Sequence, residues 1–93
     1  MGEFKRGWLR KGRIYSDKGF SIAIEDRSHL TYRSRGKKMT IAGELLSGGN
    51  FAGHLANAST WDDGSAIDSR EQQRIIENIR QAFASQGLIA DFD

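Results

Sequence analysis

A chain of 93 residues with no cysteine, no proline and 28% charged side chains is long enough for one domain with one modest core, and too short for two. Without a thiol it forms no disulfide, no cysteine-ligated zinc site and no cysteine nucleophile. The formal net charge of +2 conceals a split, because residues 1–38 carry 11 Lys/Arg against 4 acids (+7) and residues 39–93 carry 3 against 8 (−5). Such asymmetry bears on partners and encounter rates rather than on fold.

The N-terminus, Met1-Gly2-Glu3-Phe4-Lys5-Arg6, has no apolar stretch behind its basic residues, so it is not expected to act as a secretory signal. No apolar run approaches the roughly 20 residues of a membrane span. A cytoplasmic protein is the expectation, with residues 1–93 read as one domain.

In chain order, Trp8-Leu9 and Ile14-Tyr15 are strand-like apolar patches set among Arg and Lys. Asp17-Lys18-Gly19 reads as a hairpin loop with glycine where a positive φ is needed. Phe20, Ile22 and Ile24 then alternate with Ser21, Ala23 and Glu25, the period of two that turns one side of a strand to a core. Glu25-Asp26-Arg27-Ser28 is the next turn, and Leu30 and Tyr32 alternate after it. Arg35-Gly36 makes a third turn before Met39 and Ile41. From Gly43 to Asn50 the alternation breaks, and Gly48-Gly49-Asn50 signals a loop. Phe51, Gly53 and Leu55 predict one more strand, followed by an irregular stretch from Ala56 to Ala66.

Asp68 and Glu71 have the spacing of a capping box at the start of a helix. Ile75, Ile79, Ala82 and Phe83 form its apolar stripe, with Ile76 at the edge and Arg74, Asn78 and Gln81 turned away. Gly87 closes it with a left-handed residue, letting Leu88 cover Phe83. Leu88, Ala90 and Phe92 then alternate as a last short strand. The predicted fold is α+β: an antiparallel meander sheet packed by one long C-terminal helix over residues 69–86, with a short final strand.

No constellation for catalysis emerges. His29 and His54 lie 25 positions apart with no further ligand at metal spacing, so neither metal nor cofactor is expected. The paired acids Glu25-Asp26 and Asp62-Asp63 sit in turns, where acids serve solvation and local hydrogen bonds. Lys18-Gly19-Phe20 begins like the strand motif of RNA-recognition domains, but Ile22 and Ile24 stand where stacking aromatics belong. Trp61 reads either as a cap on the open end of the core or as an exposed interface anchor.

Ile41-Ala42-Gly43-Glu44-Leu45-Leu46, Asn50-Phe51, Ser59-Thr60-Trp61, Ile67 and the run Arg74 to Phe83 with Gly87 together resemble a family of small bacterial immunity proteins. These are encoded beside polymorphic or contact-dependent growth inhibition toxins, often with nuclease domains. The resemblance covers roughly residues 40–93. It departs after the tryptophan, where Asp62-Asp63-Gly64 replaces the expected proline. It implies a non-enzymatic antitoxin that binds a cognate toxin domain, a protein partner, with no membrane, cofactor or small-molecule substrate involved. A basic nuclease would favour contact through Trp61, Asp62 and Asp63, since Asp68 and Glu71 have capping duty. A partner that presents acids would instead meet Arg33, Arg35, Lys37 and Lys38. The alternative to an immunity protein is a small nucleic-acid-binding module using the basic N-terminal sheet.

Overall fold

The computed structural model describes residues 4–5, 13–16 and 18–93. Trp8 and Leu9, read above as strand-like, lie outside them. The described strands are β1 (Phe4–Lys5), β2 (Arg13–Ser16), β3 (Phe20–Asp26), β4 (His29–Ser34), β5 (Lys37–Leu45), β6 (Phe51–Gly53) and β7 (Ala90–Phe92), with one α-helix, α1 (Ser69–Ser85). They form a single sheet in sequence order, β1 to β7. The α+β meander with a C-terminal helix is therefore the observed architecture.

Neighbouring strands from β1 to β6 pair antiparallel. The last strand differs: β7 joins β6 in parallel, Phe51 opposite Ala90 and Gly53 opposite Phe92. A helical crossover returns the chain to the end at which β6 began, and a strand laid down from there runs parallel. The chain from Phe51 onward is thus a β-α-β unit grafted onto the meander.

The alternation read from the sequence sets the two faces of the sheet. Ile14, Ile22, Leu30, Met39 and Ile41 are fully buried beneath the helix, which contributes Ile75, Ile79, Ala82 and Phe83. Ile22 is thus a core residue, and Ile24 packs at the core's margin. Neither offers a base-stacking face. Asp68 caps α1 by accepting from the Glu71 amide at 2.8 Å, while the Glu71 carboxylate turns toward Arg74 at 3.9 Å. At the other end Leu88 N donates to Phe83 O and Gly87 N to Ala84 O, with Gly87 at φ 74°, a Schellman closure. Asn78, expected to face away, is half-buried and donates to Tyr32 Oη at 3.0 Å.

A second expectation fails at Gly43. The strand does not break there but runs on to Leu45, pairing Gly43 with Gly53 and Leu45 with Phe51. Glycine is required for close approach rather than for a turn. A Cβ on Gly43 would lie 2.5 Å from both Ala52 O and Phe51 Cζ, because the Phe51 ring lies across it. Leu55, placed in the next strand by its spacing, instead begins a 3-10 turn, Leu55–Asn57.

Candidate partner-binding surface

β5 is longer than the strand beside it. β6 covers only its last three residues, Gly43 to Leu45, which leaves the edge from Lys38 to Ala42 without a strand partner. An exposed edge invites unwanted pairing, and the segment between β6 and α1 covers this one. Asp62 N donates to Lys38 O at 2.7 Å. The Asp62 carboxylate then accepts from Thr40 N at 2.9 Å and Thr40 Oγ1 at 2.7 Å. Asn57 Nδ2 reaches Ala42 O at 3.2 Å. Gln72 of α1 ties the same segment down by donating to Leu55 O at 2.8 Å.

This wrapping carries Trp61 into the core, where it is 7% exposed and its ring centroid lies 6.3 Å from that of Tyr32. Of its two readings the structure supplies the core cap. The adjoining turn exposes Asp63, whose carboxylate accepts from the Ser65 hydroxyl at 2.6 Å and the Ser65 amide at 2.9 Å. Those two donors, followed by the nearby Lys37 ammonium, hold the Asp63 carboxyl below its ordinary value. At the opposite end of the sheet Asp26 is likewise held low, by the Ser28 amide first and by His29.

The two sets of candidate residues converge. Lys37 Nζ lies 3.6 Å from Asp63, 3.0 Å from Ser65 Oγ and 6.0 Å from the Trp61 ring centroid. Lys38 Nζ lies 3.9 Å from Asp62. The acidic loop and the basic strand end, offered as rival interfaces by the sequence, are one surface. Within it each lysine faces a carboxylate.

Arg33 and Arg35 are different. Arg33 stands directly opposite Lys38 across β4 and β5, and like charges in that position repel. Arg35 and Gly36 form the turn between those strands with φ values of 55° and 79°. A two-residue hairpin with both φ positive is type I′, whose first position favours Asn, Asp or Gly. Arg35 is the only non-glycine with positive φ among the described residues. Neither arginine makes an ion pair among those residues. Both line a surface groove of about 480 Å³ that also takes in Tyr15, Ser21, Lys37 and Lys38.

No sequence signal announced the Asp62–Thr40 contact, which joins residues 22 positions apart. The arginine in a type I′ turn was legible in principle, since Arg-Gly between two alternating runs demands an unusual conformation of the arginine.

Compared with known families, the chain matches Immunity protein 74 over residues 17–93. The chain belongs to this family. The resemblance noted over residues 40–93 therefore extends back through β3 and β4, so Arg33 and Arg35 lie within the Immunity protein 74 match, while Tyr15 on β2 precedes it. No curated protein and no solved structure matches the chain. A toxin protein is the partner that membership of Immunity protein 74 implies, and inhibition without catalysis is the role it suggests. Among the described residues, no three His, Asp or Glu are grouped to hold a metal ion, and no helix is long and apolar enough to cross a membrane. His29 sits against Asp26 at 3.0 Å and His54 against Asp93 at 2.6 Å, each a two-residue surface pair.

Proposed function

We propose that this member of Immunity protein 74 binds the toxin domain encoded beside it, a nuclease, and neutralises it in the cytoplasm of the producing cell. The family match over residues 17–93 carries this reading. Binding is all the reaction requires: a rigid scaffold holds a charged surface against the toxin, and no bond is made or broken. The contact surface is the end of the sheet where the segment around Trp61, Asp62 and Asp63 meets Lys37 and Lys38. Charges of both signs presented together favour specificity between cognate pairs over raw affinity.

The test is titration of the adjoining toxin domain with the purified chain, following its nuclease activity. Full loss of activity at one equivalent, with no turnover by the chain itself, is the expected result. A toxin that stays fully active at tenfold excess, with no complex by calorimetry, overturns the reading.

A further inference from the structure

We infer that the groove between the β2–β3 and β4–β5 hairpins receives an acidic segment of the toxin, with Arg33 and Arg35 pairing to its carboxylates. This rests on the immunity reading and reverses the contact expected from an acidic inhibitor of a basic nuclease.

Three observations carry it. First, the cations of this surface divide into two classes. Lys37 and Lys38 face Asp63 and Asp62 within the chain at 3.6 Å and 3.9 Å. Arg33 and Arg35 have no such partner among the described residues, yet they line the same groove of about 480 Å³. Second, two local rules are broken at the arginines. Arg33 opposes Lys38 across the strand pair, and Arg35 holds φ 55° where Asn or Gly would be relaxed. Strain and like-charge opposition of this kind persist at binding sites, where a partner relieves them. Third, the groups are guanidinia rather than ammonium ions. A planar fork of donors matches a carboxylate bidentately and loses little hydration when covered.

The same features argue against a nucleic-acid strand. Tracking a phosphate backbone needs a stripe of uncompensated cations. Among the described residues that line the groove, Lys37 and Lys38 already face Asp63 and Asp62, which leaves the two arginines rather than a continuous stripe. Two guanidinia side by side in this groove suit a short run containing one or two carboxylates.

The experiment measures binding of the adjoining toxin domain, inactivated by substitution, to the wild-type chain and to three variants. Arg33→Glu with Arg35→Glu is expected to weaken binding at least about a hundredfold, because truncated or reversed members of covered charge pairs cost that much. Arg35→Asn is expected to raise the melting midpoint while weakening binding about tenfold, a combination that a merely structural arginine would not produce. Arg80→Glu, a charge reversal on the exposed face of α1 away from the groove, serves as the contrast and leaves binding within about threefold of wild type. A double arginine variant that folds and binds within about twofold of wild type overturns the inference while leaving the immunity reading standing. So does an unlabelled 20-nucleotide single strand that displaces the toxin from wild type but not from the arginine variant, which would make the groove a nucleic-acid site. A wild-type chain that binds no toxin overturns the immunity reading and this inference with it.

Discussion

Where β5 meets β6, Gly43 and Gly53 face each other under the Phe51 ring, and Phe51 packs 6.4 Å from Phe83 and 6.0 Å from Phe92. At the opposite end of β5, Arg33 faces Lys38 and Arg35 is held in a left-handed turn. The first region contains only apolar contact and satisfied backbone, and it has no room for one added carbon. The second gathers four cations around an open groove. The contrast shows how a small domain of this kind divides its labour. Rigidity comes from aromatic packing at one end of a long strand, and that strand carries a conflicted, partner-ready surface at the other.

The contrast breaks first if substitutions at the packed end are tolerated. Phe83 is wholly buried at 0% exposure, and Phe83→Ala is expected to lower unfolding free energy by about 3–5 kcal/mol. Gly43→Ala adds a carbon 2.5 Å from Ala52 O and from Phe51 Cζ, and costs about 1–3 kcal/mol as β5 and β6 are forced apart. Arg33→Ala, on the groove, should stay within about 0.5 kcal/mol of wild type or stabilise slightly by relieving its opposition to Lys38. Urea titrations of the three variants rank them. A Gly43→Ala midpoint equal to that of wild type would show that the two strands have slack that the geometry denies.

Asp62 and Asp63 sharpen the comparison because they are adjacent in sequence and different in task. Asp62 bonds the backbone and hydroxyl of Thr40 and closes the free edge of β5. Asp62→Ala should cost about 1–2 kcal/mol, a range set by the charged acceptor and moderated by its partial exposure. It should also leave the β5 edge open to slow aggregation, visible as light scattering after days at high concentration. Asp63 bonds only within its own turn, to Ser65, and faces Lys37. Asp63→Ala should lower the unfolding midpoint by less than Asp62→Ala does, because only its own exposed turn is loosened. Equal losses from both substitutions would mean that the edge closure adds nothing beyond ordinary turn chemistry.

Local chemistry was legible in the sequence, and long-range closure was not. The helix start at Asp68, its Schellman end at Gly87 and the Arg35-Gly36 turn are each specified within a few residues, and each stands as read. The core stripe of Ile75, Ile79, Ala82 and Phe83 follows from period alone. Gly43 was misread because a glycine that breaks an alternation looks the same whether it turns the chain or admits an aromatic ring from the next strand. The parallel pairing of β7 was invisible because a three-residue alternation carries no direction. At the candidate interface, sequence spacing separated Asp62 and Asp63 from Lys37 and Lys38 into rival sites, and only the path of the segment after β6 places them side by side. The resemblance to small bacterial immunity proteins was read from the C-terminal half, through Trp61 and the helix, and the match to Immunity protein 74 runs over residues 17–93.

A pH-dependent effect lies midway between the two regions, at Tyr32. Its ring packs between Phe20 and Trp61, with centroids at 5.5 Å and 6.3 Å, and its hydroxyl accepts from Asn78 Nδ2 at 3.0 Å. Burial pushes the Tyr32 phenol above its ordinary value, with the Asn78 bond opposing in part. A phenol with a higher value in the folded state than in the unfolded state contributes stability that is fully present below the unfolded value, near pH 10. That contribution is lost as the pH climbs through the folded value, because the unfolded chain ionises first. The wild-type urea midpoint should therefore fall between about pH 9 and about pH 11, the range that spans ordinary tyrosine ionisation. Tyr32→Phe removes the Asn78 hydrogen bond at a cost of about 1 kcal/mol near neutrality, yet it should flatten the alkaline decline. Midpoints that fall equally steeply in both proteins would assign the alkaline loss to other groups.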